Sequence, residues 1–155
     1  MKHRWSALAL VLALSALTTE TLPGQDTGTP APNREREARV QLGQNYPNPF
    51  NPETTIPFAV GDPPTCQDRG RIYRVSLRVY NVLAQLVAIP ILQGGTAGTP
   101  SPGTSVYNVS LPCGQYTAYW DGKYQNTQRE VASGIYLYRL EVDGRAIVRK
   151  MIVTK

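Results

Sequence analysis

"GIYLYRLEVDGRAIVRKMIVTK", Gly134 to Lys155, decides the fold class. Two short runs rich in β-branched and aromatic residues, Gly134–Gly144 and Arg145–Lys155, meet at Asp143-Gly144. That dipeptide supplies the positive backbone angles a two-residue hairpin turn needs, so the segment reads as a tight β-hairpin. Ile147, Met151 and Val153 are the candidate apolar contacts of its second strand.

The same grammar extends upstream. "IYRVSLRVYN" (Ile72–Asn81) alternates Tyr73, Val75, Leu77 and Val79 with Arg74, Ser76, Arg78 and Tyr80, a period of two that marks a half-buried strand. "QLVAIPIL" (Gln85–Leu92) is expected to pair with it across the hairpin-length "NVLA". "SVYNVSL" (Ser105–Leu111) and "QYTAYWDG" (Gln115–Gly122) follow a long turn-rich loop, "GGTAGTPSPGTS". "TTIPFAV" (Thr54–Val60) is a further strand, which Pro57 demotes to an edge or interrupted one because proline has no amide donor. Thirteen glycines, thirteen prolines and nine tyrosines fit many turns and short strands. The expectation is all-β: a sandwich of about seven antiparallel strands with no helix longer than a turn.

The N-terminus has a different character. Lys2, His3 and Arg4 precede an apolar run from Trp5 to about Leu17, too short to span a bilayer comfortably, which is the shape of a secretory signal. Residues 1–24 are read as that signal, with small residues at Ala13, Ser15 and Gly24 offering cleavage points. Residues 25–41, ending in "NREREAR", are read as a disordered leader, and 42–155 as the folded domain. The expected location is export to the periplasm and then to the outer-membrane surface or beyond, with no stable membrane span once the signal is gone.

Export constrains the chemistry. Removal of the signal takes sixteen basic residues to fourteen against eleven acids (Glu20 counted as retained), a charge of +3 with scattered arginines, which gives no footprint for nucleic acid. The chain's one histidine leaves too, so Ser-His-Asp and Cys-His arrangements cannot be built. "VASGIY" lacks the first glycine of G-x-S-x-G, and no phosphate loop or Cys-x-x-Cys is present. Glu141 and Asp143 share a strand face and read as a solvated edge rather than an acid/base pair. No cofactor is expected. Cys66 and Cys113, an even pair bound for an oxidising compartment, are expected to form a disulfide. Their spacing carries no metal pattern.

Two phrases stand apart. In "QNYPNPFNPETTIPF" (Gln44–Phe58), Pro47, Pro49 and Pro52 restrict the backbone to extended and turn conformations. Asn48 and Asn51 are expected to bond turn amides there, and Tyr46 and Phe50 to pack on the sandwich. In "YWDGKYQNTQREVASGIYLYRL", Trp120 is a core anchor, Asp121-Gly122 an Asx-type turn, and Ser133-Gly134 the opening of a strand that carries Tyr136. The sequon Asn108-Val109-Ser110 also occurs.

Together with "VSLRVYNVLAQLV" and the terminal "RKMIVTK", these phrases resemble the C-terminal sorting domain of type IX secretion cargo and the related Ig-like domain of flagellar hook-capping proteins. The resemblance covers about Leu42 to Lys155 in the family's order. It rests on Asn48, Pro49, Phe50, Asn51, Pro52, Trp120, Asp121, Gly122, Ser133, Gly134 and Tyr136. It implies an Ig-like sandwich without enzymatic activity, read by a secretion apparatus or a cell-surface protein. Ala84 stands where the family has glycine, and the loops carrying Cys66 and Cys113 are longer than the family norm.

On this view the terminal strand, with Arg149, Lys150, Met151 and Lys155, is the candidate recognition element, since a partner strand can add along an exposed edge. The competing reading is a structural or adhesive module that assembles into homo-oligomers or binds surface components. A small metal-dependent hydrolase is the third.

Overall fold

A computed structural model describes residues 39–95, 100–125 and 127–155. Residues 1–24, read from the sequence as a signal, and most of 25–41, read as a leader, lie outside the described residues. Nine strands follow one another: β1 Val40–Leu42, β2 Thr54–Val60, β3 Ile72–Asn81, β4 Leu86–Ala88, β5 Ile91–Gly94, β6 Val109–Pro112, β7 Gly114–Trp120, β8 Gly134–Val142 and β9 Arg145–Val153. They form two antiparallel sheets, β1-β2-β7-β5 and β4-β3-β8-β9, with β6 pairing onto β3. The fold is therefore all-β and sandwich-like, and no helix occurs among the described residues.

The core follows from the alternation. Ile56, Phe58, Tyr116, Ala118 and Trp120 on one sheet face Val75, Leu77, Val79, Tyr138, Leu140 and Met151 on the other, all buried. Removing this apolar area from water is the main favourable term of folding. Polar residues between them face outward, and of these Ser76 is buried under the Asn108 segment that precedes β6. Its hydroxyl accepts the Asn108 amide at 2.9 Å and so is satisfied where it is buried.

The β8–β9 hairpin forms as expected, with Asp143 and Gly144 at φ +47° and +83°. Asp143 Oδ1 accepts the Arg74 amide at 2.9 Å, and its other oxygen pairs with Arg71. Glu141 lies between Arg78 and Arg139. Each carboxylate is thus committed to its own cations. The disulfide joins Cys66 to Cys113 and ties the β2–β3 loop to the start of β7.

Four expectations need correcting. Gln85–Leu92 is not one strand. It breaks at Ile89-Pro90, so β4 pairs with β3 in one sheet while β5 pairs with β7 in the other. Proline cannot continue a ladder through its nitrogen, and the chain changes sheets there. Ser105–Leu111 forms a strand only from Val109, because Asn108 takes φ +49°. With the short β1 added, nine strands stand where about seven were expected, and β1 begins at Val40, two residues before the expected domain start.

The fourth concerns β2, which is an interior, continuous strand between β1 and β7. Within a strand a residue's N and C=O point to the same neighbour. The Pro57 carbonyl accepts the Gly43 amide at 2.8 Å, so its missing donor also faces that side, just past the end of β1. The β7 side of the ladder is untouched.

Candidate functional site: the terminal strand and the segment that covers it

β9 is the last strand of its sheet, paired with β8 on one side only. Two-residue hairpin geometry directs the backbone groups of Arg145, Ile147, Arg149, Met151 and Val153 toward β8. Those of Ala146, Val148, Lys150 and Ile152 therefore point to the outer edge. An open edge of this kind invites pairing with another chain unless it is covered.

The Gln44–Phe50 segment covers its second half. Phe50 N–H donates to Ile152 O at 3.0 Å, and Thr154 N–H donates to Phe50 O at 3.0 Å. Asn48 Oδ1 accepts the Ile152 amide at 3.0 Å, and Gln44 Nε2 donates to Lys150 O at 3.3 Å. The prolines hold this phrase outside any regular ladder, and the peptide bonds before Pro47, Pro49 and Pro52 are cis. Asn48 thus serves a strand about a hundred residues away rather than its own turn, and Asn51 makes no side-chain hydrogen bond among the described residues. Phe50 is buried as expected, whereas Tyr46 is 57 % exposed.

Phe50 anchors the segment. Its ring meets Trp120 edge-on at 5.5 Å, and Trp120 meets Tyr136 edge-on at 5.8 Å. Such geometry adds to the area these rings bury. Trp120 Nε1 donates to Lys123 O, and Asp121 Oδ1 accepts the Lys123 amide at 3.1 Å, the expected Asx-type turn. Gly122, at φ +71°, lies against the Pro52 carbonyl so closely that a Cβ there would sit 2.1 Å from the oxygen. The two distinctive phrases of the sequence therefore meet at one end of the sandwich. Ser133 and Gly134 do not join this cluster: a Cβ at Gly134 would touch nothing.

Of the four terminal-strand candidates, Met151 is wholly buried, so only Arg149, Lys150 and Lys155 face solvent. Arg149 Nε donates to Leu42 O at 2.6 Å and ties β9 to β1 of the opposite sheet. Lys155 pairs with Glu130, whose carboxyl is held below its usual range by that hydrogen bond and charge.

Residues not singled out from the sequence complete the site. Tyr138, fully buried, donates its hydroxyl to Gly43 O at 2.8 Å and accepts the Asn45 amide at 3.1 Å. Burial raises its phenol pKa. Buried Asn45 in turn donates to Thr54 Oγ1 and Pro47 O. The available signal was "YLY", where Tyr138 shares the inward parity of Tyr136, so its hydroxyl needs an internal partner.

A hollow of about 550 Å³ is an open trough on the outer face of the four-stranded sheet, floored by Pro57, Ala59, Gly94 and Thr117. No carboxylate, histidine or lysine lines it. Among the described residues, no cluster of His, Cys, Asp and Glu could hold a metal ion, and no helix is long and apolar enough to cross a membrane.

No family model, curated protein or solved structure matches the chain. The fold and the site define its class: an all-β, sandwich-like domain closed by a disulfide and by a proline-rich latch over its last strand.

Proposed function

We propose that this is a non-enzymatic, exported Ig-like domain of the sorting type, recognised through its terminal strand by a secretion apparatus or a cell-surface protein. One observation carries the reading. Six of the eleven residues on which the resemblance rests, Asn48, Phe50, Pro52, Trp120, Gly122 and Tyr136, are built around β9 rather than around a cleft. Lys150 and Lys155 are the exposed cations a partner would meet there.

Deleting Arg145–Lys155 would test nothing, because Met151 and Val153 belong to the core. The informative variant is Lys150→Glu with Lys155→Glu, carried behind a secreted reporter in a cell with a type IX apparatus. The expected result is loss of surface delivery with unchanged circular dichroism. Undiminished delivery would remove the sorting role.

A second reading, an adhesive or self-assembling module, draws on the outer face of the five-stranded sheet. Leu86, Ile135 and Ile152 are exposed there, with Val82 and Leu83 at the adjoining turn. Exposed apolar side chains gathered on one face can mark interaction sites. Sedimentation of the isolated domain tests its self-assembling form: concentration-dependent assembly supports it, and a monomer at all concentrations dismisses it.

A further inference from the structure

The latch leaves part of the β9 edge open. Hydrogen bonds from Gln44, Asn48 and Phe50 occupy outward groups only from Lys150 onward. The N–H and C=O of Ala146 and Val148 also face outward, and no described group bonds them. Val148 is 51 % exposed on the outer face. The open window spans about 10 Å, enough for an extended segment to place two residues in register. Proteins normally blunt such an edge with a bulge, a proline or a covering loop. Among the described residues, cover here stops midway along one strand.

Charge selects the occupant. Next to the window, Arg149 and Lys150 have no carboxylate partner among the described residues, and both are exposed. Glu141, on the neighbouring strand, is already held by Arg78 and Arg139. A second copy fits poorly. The two-fold register that uses Ala146 and Val148 of both copies sets Arg145 directly opposite Arg149, and like charges so placed are destabilising.

We infer that the open half of the β9 edge, Ala146–Val148, accepts an extended strand of a partner protein. That strand carries carboxylates at the end lying beside Arg149 and Lys150. Backbone bonds to Ala146 and Val148 supply the pairing, and the acids fix its direction and register. Gln44 limits the added strand to the unlatched half. The inference rests on β9 being the recognition element and names the chemistry of what it recognises.

The test is a titration of the ¹⁵N-labelled domain, followed by amide shifts. The probe is an eight-residue peptide of alternating valine and threonine ending in two glutamates, and the control ends in two lysines. Saturable shifts centred on Ala146 and Val148 are expected, with at least tenfold weaker binding of the lysine-ended peptide. Val148→Pro removes an amide that no ladder bond uses, so the sheet stays intact while binding falls at least tenfold. Val148→Thr keeps the amide and keeps binding. Absent shifts at these two amides, or unchanged binding to Val148→Pro, would overturn the edge assignment. Equal binding of the two peptides would overturn the acidic one. A dimer of the free domain that Val148→Pro abolishes would assign the edge to a second copy and overturn the inference. Should peptide binding fail while Lys150→Glu/Lys155→Glu still blocks delivery, the edge falls and the sorting reading stands. Peptide binding with unaffected delivery means the converse: the edge stands and the sorting reading falls.

Discussion

Replacing Gly122 by alanine separates two costs that the structure places on one residue. The first is conformational. Gly122 has φ +71°, and an L-residue in the left-handed region is disfavoured by about 1–2 kcal/mol. The second is steric. The new Cβ would lie 2.1 Å from the Pro52 carbonyl oxygen, where ordinary contact begins at 3.4 Å, so the Pro52 backbone must retreat by more than an ångström. That backbone follows Phe50, which is locked between Trp120 and the end of β9. Overpacking of this kind costs about 1–3 kcal/mol. Gly144→Ala is the control, because Gly144 has φ +83° but nothing within 4 Å of its added methyl. It carries the conformational cost alone, offset by about 0.4–1 kcal/mol from the stiffer unfolded chain. Gly122→Ala should therefore unfold more readily than Gly144→Ala by about 1–3 kcal/mol, measured as urea midpoints with the disulfide intact. The near-ultraviolet signal of Trp120 should change in the first variant only. Equal losses for the two variants would refute the contact between Gly122 and Pro52 as a closing element of the fold.

Three further outcomes follow from the same geometry. Ala84 takes φ +59° in the β3–β4 turn, so Ala84→Gly should raise the unfolding free energy by about 0.5–1 kcal/mol once glycine's entropy is subtracted, read as a higher urea midpoint; a lower midpoint would count against strain at that turn. The disulfide closes 47 residues, and chain-entropy estimates give about 4 kcal/mol for such a loop, which paired denaturation with and without reductant will read. A hydrogen bond donated to the Glu53 carboxylate, with burial, pushes the Tyr119 hydroxyl up to about 12. The stabilisation it gives is complete below pH 10 and lost as pH rises through 12, and Glu53→Gln should return its ultraviolet titration toward 10.

The hairpin at Asp143-Gly144 and the alternation of β3 were legible because both are local: turn chemistry and a period of two sit within ten residues. The break at Pro90 was not, since "LVAIPIL" reads the same whether its halves share a sheet or divide between two. Pro57 misled for a related reason. Its missing donor matters only on the side where a neighbour runs, and which side that is depends on where β1 ends. The candidate site was half visible. Phe50, Trp120 and Gly122 stand out by residue type, but the bond from Ile152 to Asn48 joins positions 104 apart, and no local pattern carries that register. Tyr138 was overlooked because its hydroxyl partner lies at Gly43, 95 residues away.

The latch also sets the order in which this domain can become stable. Bonds from Leu42, Gln44, Asn48 and Phe50 all end on Arg149–Thr154, so the first and last parts of the domain stabilise each other. Contacts between such distant positions demand loop closure before they return any stabilisation, which slows folding. A chain emerging from a ribosome, or threading through a pore N-terminus first, would lack the latch's bonds to Lys150, Ile152 and Thr154 until β9 arrived. Arrival of that strand is in this sense what closes the latch.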